Sequence, residues 1–343
     1  MRPEVAQSYE RLPDPEAGTD AGSAGRSPWR LAGRRLRRDR LALIFALLFG
    51  LLVVMALAAP LYAEHVANTT PDKQNLTGTV VVDGEEVDIV TPDGIPVGPT
   101  WGSEYLLGAD INGRDVAVRL LYAARNSMFI GLTGALITTL LAIVFGIVAG
   151  YYRGPVDWII SRAMDVLWAV PVLLLGVALG VALTLGGVQI GPLTLDAGSL
   201  WIPALIIGVV SVVYLARPLR GEILQLREQE FVEAARAQGA SGPRIMFSEL
   251  LPNVTGTVLV FFPLLFANSV LLEASLSFLG AGVQPPDASW GTMIDEGINV
   301  LITQPALTIA PGIMLVLCVL SLNVVGESVR KAIDPRARVM LEQ

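Results

Sequence analysis

Six apolar runs divide the chain, at about residues 41–63, 127–151, 164–186, 200–216, 254–280 and 306–328. A helix rises about 1.5 Å per residue, so about 20 apolar residues cross the hydrocarbon core of a bilayer. All six runs are read as spans, the fourth being short. Pro171, Pro263 and Pro311 lie inside runs and predict kinks. Gly131, Gly134, Gly146 and Gly150 recur in the second run and predict close helix packing.

The polar stretches between the runs differ in kind. The longest in the second half, Arg217 to Asn253, carries Arg217, Arg220, Arg227, Arg236 and Arg244 against Glu222, Glu228, Glu230, Glu233 and Glu249. Its Ala, Glu, Gln and Arg content predicts a helix through Glu233-Ala234-Ala235. Gly239-Ala240-Ser241-Gly242-Pro243 then predicts a break, and a second short helix enters the fifth run at Leu251-Pro252. A surface helix held between two spans suits the docking of a soluble partner. Residues 64 to 126 are acidic and rich in Gly and Pro. Residues 79 to 90 read as a β-hairpin turning at Asp83-Gly84. This insertion is too small to fold alone and is expected to pack on the membrane part.

Residues 1 to 40 form a tail that is Pro-, Gly-, Ser- and Asp-rich and expected to be disordered up to Ser27. Arg30, Arg34, Arg35, Arg37, Arg38 and Arg40 then crowd before the first run. They read as a topology anchor, with binding to lipid or nucleic acid as the alternative. The first run is a span rather than a signal peptide, because it is long and begins far from the N-terminus.

Composition agrees with the pattern. Of 343 residues, 53% are hydrophobic and 16% charged, and the mean hydropathy is +0.58; soluble domains carry about 25% charged residues. Cys318 stands alone, so no disulfide forms within the chain, and no cysteine metal site is expected. The single His65 reads as an interface residue. The net charge of −7 says little, because charges are sorted by segment. With the N-terminus inside, only Lys73, Arg114, Arg119 and Arg125 of the 24 Lys and Arg residues fall outside. This asymmetry predicts that both ends and the Glu233 loop face the cytoplasm.

Candidate chemistry is sparse. A phosphate loop needs Gly-Lys-Ser/Thr, and neither lysine, Lys73 or Lys331, follows a glycine. No nucleophile–base pair stands out, and neither a catalytic residue nor a cofactor or metal is expected. Glu273 lies inside the fifth run near its outer end. A carboxyl there is costly in lipid, so it either pairs structurally or lines a pathway. Asp165 pairs with Arg162 or caps its helix. The loop Pro285 to Asn299, with Asp287 and Trp290, closes the outer mouth, meets a binding protein, or anchors at the surface. An ion-driven carrier would need more intramembrane charge than Glu273 and often shows inverted repeats. An intramembrane hydrolase would need a Ser–His or paired-Asp constellation, and none is present.

The central loop resembles the EAA loop of permease subunits of binding-protein-dependent ABC importers, through Glu233, Ala234, Ala235, Gly239, Leu251 and Pro252. The chain is most similar in kind to the second, C-type permease of the dipeptide/oligopeptide/nickel group. Four further blocks carry that likeness: Leu107 to Val116; Gly150 to Gly154 with Asp165 and Pro171; Ser277 to Pro286 with Ser289-Trp290-Gly291; and Asn323 to Glu327 with Arg330 and Asp334-Pro335-Arg336. The likeness covers roughly residues 30 to 338. Departures are Glu249 at an aliphatic position, Ala109 for Thr, Glu327 for Asp, and a longer insertion at about 70–100.

The resemblance implies an all-α polytopic membrane protein of the type I importer fold, with six transmembrane helices and a small extracytoplasmic hairpin. It divides the chain into a basic tail (1–40), a first helix (41–63), an extracytoplasmic segment (64–126), a five-helix core (127–328) that includes the coupling loop (217–253), and a cytoplasmic tail (329–343). It implies a non-catalytic subunit of the cell membrane that forms half of a peptide pathway, with nickel or another small solute as the alternative cargo. The implied partners are a homologous second permease, two ABC ATPase subunits that hydrolyse the ATP, an extracytoplasmic solute-binding protein and the lipid bilayer, with no nucleic acid. Glu233, Ala234, Ala235, Gly239, Leu251 and Pro252 would couple to the ATPase, and Glu273 and Trp290 would belong to the pathway or gate.

Overall fold

The computed structural model describes residues 33 and 36–333, apart from 83, 103, 187, 191, 192 and 197. The N-terminal stretch to Ser27, Arg30, Arg34, Arg35 and the Asp334-Pro335-Arg336 block lie outside the described residues. The chain is a helical bundle with two small β-ribbons.

Helix α1 (Arg40–Leu57) starts at Asp39, whose carboxylate accepts the Ala42 N–H at 3.2 Å. Leu43, Leu47, Leu51 and Val54 are exposed along it, whereas Leu52 and Ala56 are buried. One stripe therefore packs on the bundle and the rest is left for lipid. A short α2 (Ala59–His65) follows.

The insertion then forms strands β1 (Thr79–Val82) and β2 (Glu85–Asp88), antiparallel with Val82 opposite Glu85. Gly84 takes φ +88° at the turn. Val80, Ile89 and Ala109 bury a small core beneath the ribbon. Gln304 Nε2 donates to the Pro96 carbonyl at 2.8 Å and ties the insertion to the bundle.

Helix α3 (Val116–Tyr152) is 37 residues long and forms the axis of the bundle. It begins eleven residues before the expected boundary at 127, because Asp115 caps it by accepting from Ala117 N and Val118 N at 2.8 and 3.1 Å. The expected close packing is present. A Cβ at Gly131 would lie 2.4 Å from Val270, at Gly134 3.1 Å from Ile207, at Gly146 2.8 Å from Leu219, and at Gly150 2.6 Å from Ile223. Four partner side chains from three other helices thus sit directly against the α3 backbone.

The third apolar run is not one straight helix. Helices α4 (Gly154–Ala169) and α5 (Val172–Gly186) meet at 91°. Pro171 pushes Val170 into extended backbone, φ −93° and ψ 131°, so the expected kink is a full break. Strands β3 (Val188–Ile190) and β4 (Leu193–Leu195) form a second ribbon that the sequence reading did not anticipate. The fourth run is likewise divided, into α6 (Trp201–Val210) and α7 (Val213–Leu226), bent by 41°. Helix α7 continues through residues 217–226, which had been assigned to the central loop.

After helix α8 (Glu230–Ala237), the chain runs through a short turn, Gly242–Arg244, and a π-helical turn, Ile245–Leu250, into α9 (Leu251–Phe278). The short α10 (Trp290–Ile298) and long α11 (Ala306–Ile333) complete the bundle. Residues 329–333 continue α11, so the final helix extends past the expected boundary at 328. Helices α1, α3, α9 (with the turns leading into it) and α11 are each long and apolar enough to cross a bilayer. The two bent pairs bring the total to as many as six spans. The hairpin and α10 lie at one end of the bundle and α8 at the other.

Candidate functional site

Helix α8 is short and strongly two-sided. Glu230 and Glu233 occupy its first turn and Arg236 its last, as the helix dipole favours. Val232 is fully buried, Ala235 is half-buried, and Glu233 and Ala234 are exposed. Val232 and Ala235 thus hold the helix on the bundle, while Glu233 and Ala234 face outward.

The end of α8 is set by Gly239. Its φ is +79°, the left-handed region open to glycine. Gly239 N–H donates to Arg236 O at 2.9 Å and Ala240 N–H to Ala235 O at 3.0 Å. These paired bonds form a Schellman end. Further along, Leu251 N–H reaches back to Met246 O, the five-residue step of a π-turn. Pro252 lacks an N–H, and its ring would clash with the Ser248 carbonyl in regular α-helix. The wider turn admits the proline without ending the helix.

Three contacts bolt this loop to the corner where α3 meets α4. The Arg236 guanidinium lies over the Tyr151 ring, 5.8 Å from its centre. Arg227 donates to the Tyr151 carbonyl, and Arg153 pairs with Glu228 at 2.7 Å. Arg153 and Gly154 both have positive φ, 56° and 60°, so the corner is tightly folded. Arg220 forms a bidentate pair with Asp157, and Arg217 reaches Asp165 at 2.8 Å. Asp165 also lies 3.4 Å from Arg162, the expected partner. The roles of Tyr151, Arg153 and Arg227 escaped the sequence reading. The Tyr-Tyr-Arg-Gly block marked the place, but its partners are more than 70 residues away.

At the opposite end, Glu273 and Trp290 are both fully buried. Trp290 is therefore no surface anchor. Ser277 Oγ donates to Glu273 Oε1 at 2.7 Å and itself accepts the Val283 N–H at 3.0 Å. The hydroxyls of Ser127 and Ser289 also face the carboxyl. The Trp290 backbone N–H donates to Ser127 Oγ at 3.1 Å, and Asn126 Nδ2 to the Ala288 carbonyl at 2.8 Å. Ser289 and Thr292 close a capping box at the start of α10. At Gly291 an added Cβ would stand 2.2 Å from the Ala274 carbonyl, so α10 lies directly on α9. The loop 280–290 is thereby pinned to α3 and α9 through the Glu273 cluster.

A second cluster pins the other side of α10. Arg114 bridges Asp110 at 2.6 Å and Glu296 at 3.0 Å; Arg119 reaches the same two carboxylates at 3.3 and 3.0 Å. Asp110 Oδ1 also accepts Asn112 N–H and Arg114 N–H, which folds the loop before α3. Asp115 accepts from Tyr105 N at 2.8 Å as well as from its own helix, and burial raises its carboxyl above the usual range. The sequence marks Arg114 as an outside charge within the Leu107–Val116 block and Arg119 as an outside charge alone.

The described residues thus form a polytopic bundle with a short, exposed helix at one end and a pinned loop at the other. Residues 142–339 match the family described as binding-protein-dependent transport system inner membrane component. Residues 27–78 match the N-terminal TM domain of oligopeptide transport permease C. The chain belongs to the first of these families.

Across 94% of its length the chain is 32% identical to the oligopeptide transport system permease protein OppC of Bacillus subtilis, covering 96% of that protein. It is 33% identical to the dipeptide transport system permease protein DppC of Alkalihalophilus pseudofirmus, over 91% of each chain. It is 31% identical to the glutathione transport system permease protein GsiD of Pectobacterium atrosepticum, over 91% of this chain and 93% of that one. An inward-facing structure of the MetNI methionine ABC transporter superposes with a TM-score of 0.50 at 16% identity, covering 63% of this chain and 96% of that one. The chain is a multi-pass membrane permease of the ABC importer class.

Proposed function

We propose that the chain forms half of the translocation pathway of an ATP-driven importer of di- and oligopeptides. The other half is a homologous permease, two ATPase subunits supply the energy, and an extracytoplasmic binding protein delivers the solute. Both termini and α8 face the cytoplasm. The peptide assignment is supported by the relatives named for oligopeptide, dipeptide and glutathione transport, whose full lengths the chain covers almost completely.

The observation that carries the mechanism is the reach of α3. Its 37 residues extend about 55 Å. One end holds the coupling loop through Tyr151; the other holds α10 through Arg119, Asn126 and Ser127. In this reading Glu233 and Ala234 seat in a groove of an ATPase subunit, while Ala235 holds that helix to the bundle. Gly239 and the Leu251-Pro252 junction let α8 tilt as that groove moves. The tilt passes to the α3–α4 corner and along α3 to the loop that Glu273 and Trp290 hold. Force received at one end then opens or closes the other.

Co-purification and reconstitution test this. The chain is expected to isolate with a second permease and two ATPases, and vesicles holding all four are expected to take up labelled peptide when given ATP and the binding protein. Uptake by vesicles holding this chain alone would overturn the proposal.

A further inference from the structure

An apolar groove lies where the N-terminal turn meets the bundle, at the same end as α8. It encloses about 380 Å³ and is lined by Leu36, Leu259, Phe262, Pro263, Val329 and Ile333. Its walls are the α9 and α11 helices, which run close enough that a Cβ on Gly326 would stand 3.1 Å from Pro263. The N-terminal turn is fastened over it: Ser328 Oγ donates to Asp39 Oδ2 at 2.8 Å.

That fastening gathers charge at the rim. Arg37, Arg38 and Arg40 are exposed and have no carboxylate within ion-pair distance among the described residues. Arg330 and Lys331 share the single carboxylate of Glu327, each at 3.7 Å. Among the described residues, the two segments that border the apolar slot, 36–40 and 327–333, thus carry five cations and two carboxylates, Asp39 and Glu327. A cationic rim over an apolar groove at a membrane surface matches a ligand with a phosphate head and a hydrocarbon tail.

We propose that this groove binds an anionic phospholipid, with one acyl chain lying in the groove along α9 and α11 and the phosphate on Arg37, Arg38 and the end of α11. The leaflet is the cytoplasmic one, which rests on the orientation proposed above. The basic turn is then a lipid site as well as a charge anchor.

The test uses the full chain in vesicles that contain phosphatidylglycerol or phosphatidylcholine carrying a photoreactive group in the acyl chain. Labelled peptides are read by mass spectrometry. Phosphatidylglycerol is expected to label peptides spanning 259–263 and 329–333 roughly fivefold more than phosphatidylcholine, the ratio that even one cationic contact supplies. Ala332 also lines the groove, and Ala332→Trp, which fills it without changing charge, is expected to remove that labelling. Arg37→Gln with Arg38→Gln is expected to bring the ratio close to one, while the paired Lys variants keep it. Equal labelling by the two lipids, labelling that survives Ala332→Trp, or capture of the chain's own tail would overturn the site. The probe lipid is in both leaflets and no transport is read, so this result is independent of orientation and of importer activity.

Discussion

Arg119, near the start of α3, lies 3.0 Å from Glu296 in α10, although 177 residues separate them in the chain. Arg119 is 1% exposed and Glu296 24%. Without Glu296, Arg119 and Arg114 would share Asp110 alone, and weakening a buried ion-pair network in this way costs up to about 3 kcal/mol. Glu296→Gln is therefore expected to lower the thermal midpoint of the purified permease by several degrees. Arg119→Gln combined with Glu296→Gln is expected to cost less than the two single changes added together. Additive losses in thermal unfolding would show that the two side chains do not stabilise each other.

The coupling helix gives a sharper functional expectation. Gly239→Pro removes the N–H that bonds Arg236 O and forbids the +79° backbone angle. Glu233→Lys reverses charge on the exposed face of α8 and opposes the helix dipole. Both variants are expected to insert at normal levels and to abolish peptide uptake. Wild-type stimulation of ATP hydrolysis by either variant would count against a coupling role.

Glu273 separates a positioning role from simple filling of space. Its Oε1 accepts from Ser277, whose oxygen also holds the 280–290 loop through Val283. Glu273→Ala removes that acceptor. A hydrogen bond of about 1.5 kcal/mol corresponds to about tenfold in the population of the pinned loop. Uptake is expected to fall by about that factor, with Glu273→Gln within about twofold of wild type because its amide oxygen can accept the same bond. Equal losses in the two variants, measured as peptide uptake into vesicles, would remove the hydrogen bond from the explanation.

Asp39 predicts a pH dependence. The Ala42 N–H and then the Ser328 hydroxyl hold its carboxyl below the ordinary value of 3.8. The folded value lies below the unfolded one, so the stabilisation is present above the unfolded value and is lost as pH falls through the folded value. The difference in thermal midpoint between wild type and Asp39→Ala is expected to be full at pH 7 and to shrink below about pH 4. A difference that stays constant down to pH 3 would contradict the ionised cap.

The features readable in the sequence were those with a local signal. The apolar runs, the hairpin flanking Gly84, and the helix that ends at Gly239 each follow from a few adjacent residues. The start of α3 was placed too late because Arg119 and Arg125 interrupt the apolar pattern; Arg119 enters the bundle only because Asp110 and Glu296 meet it. Pro171 was read as a kink within one span, since the sequence around it stays apolar while the backbone turns by 91°. The Tyr151–Arg227 and Ser127–Trp290 contacts join distant segments, so no spacing rule could reveal them.

The most direct measurement places a photoreactive side chain at Ala234, which is exposed on α8, in membranes that hold the intact transporter. Irradiation is expected to capture a nucleotide-hydrolysing subunit, with a yield that changes when ATP is bound. If position 234 never captures such a subunit while uptake remains intact, α8 is not where this permease receives its energy.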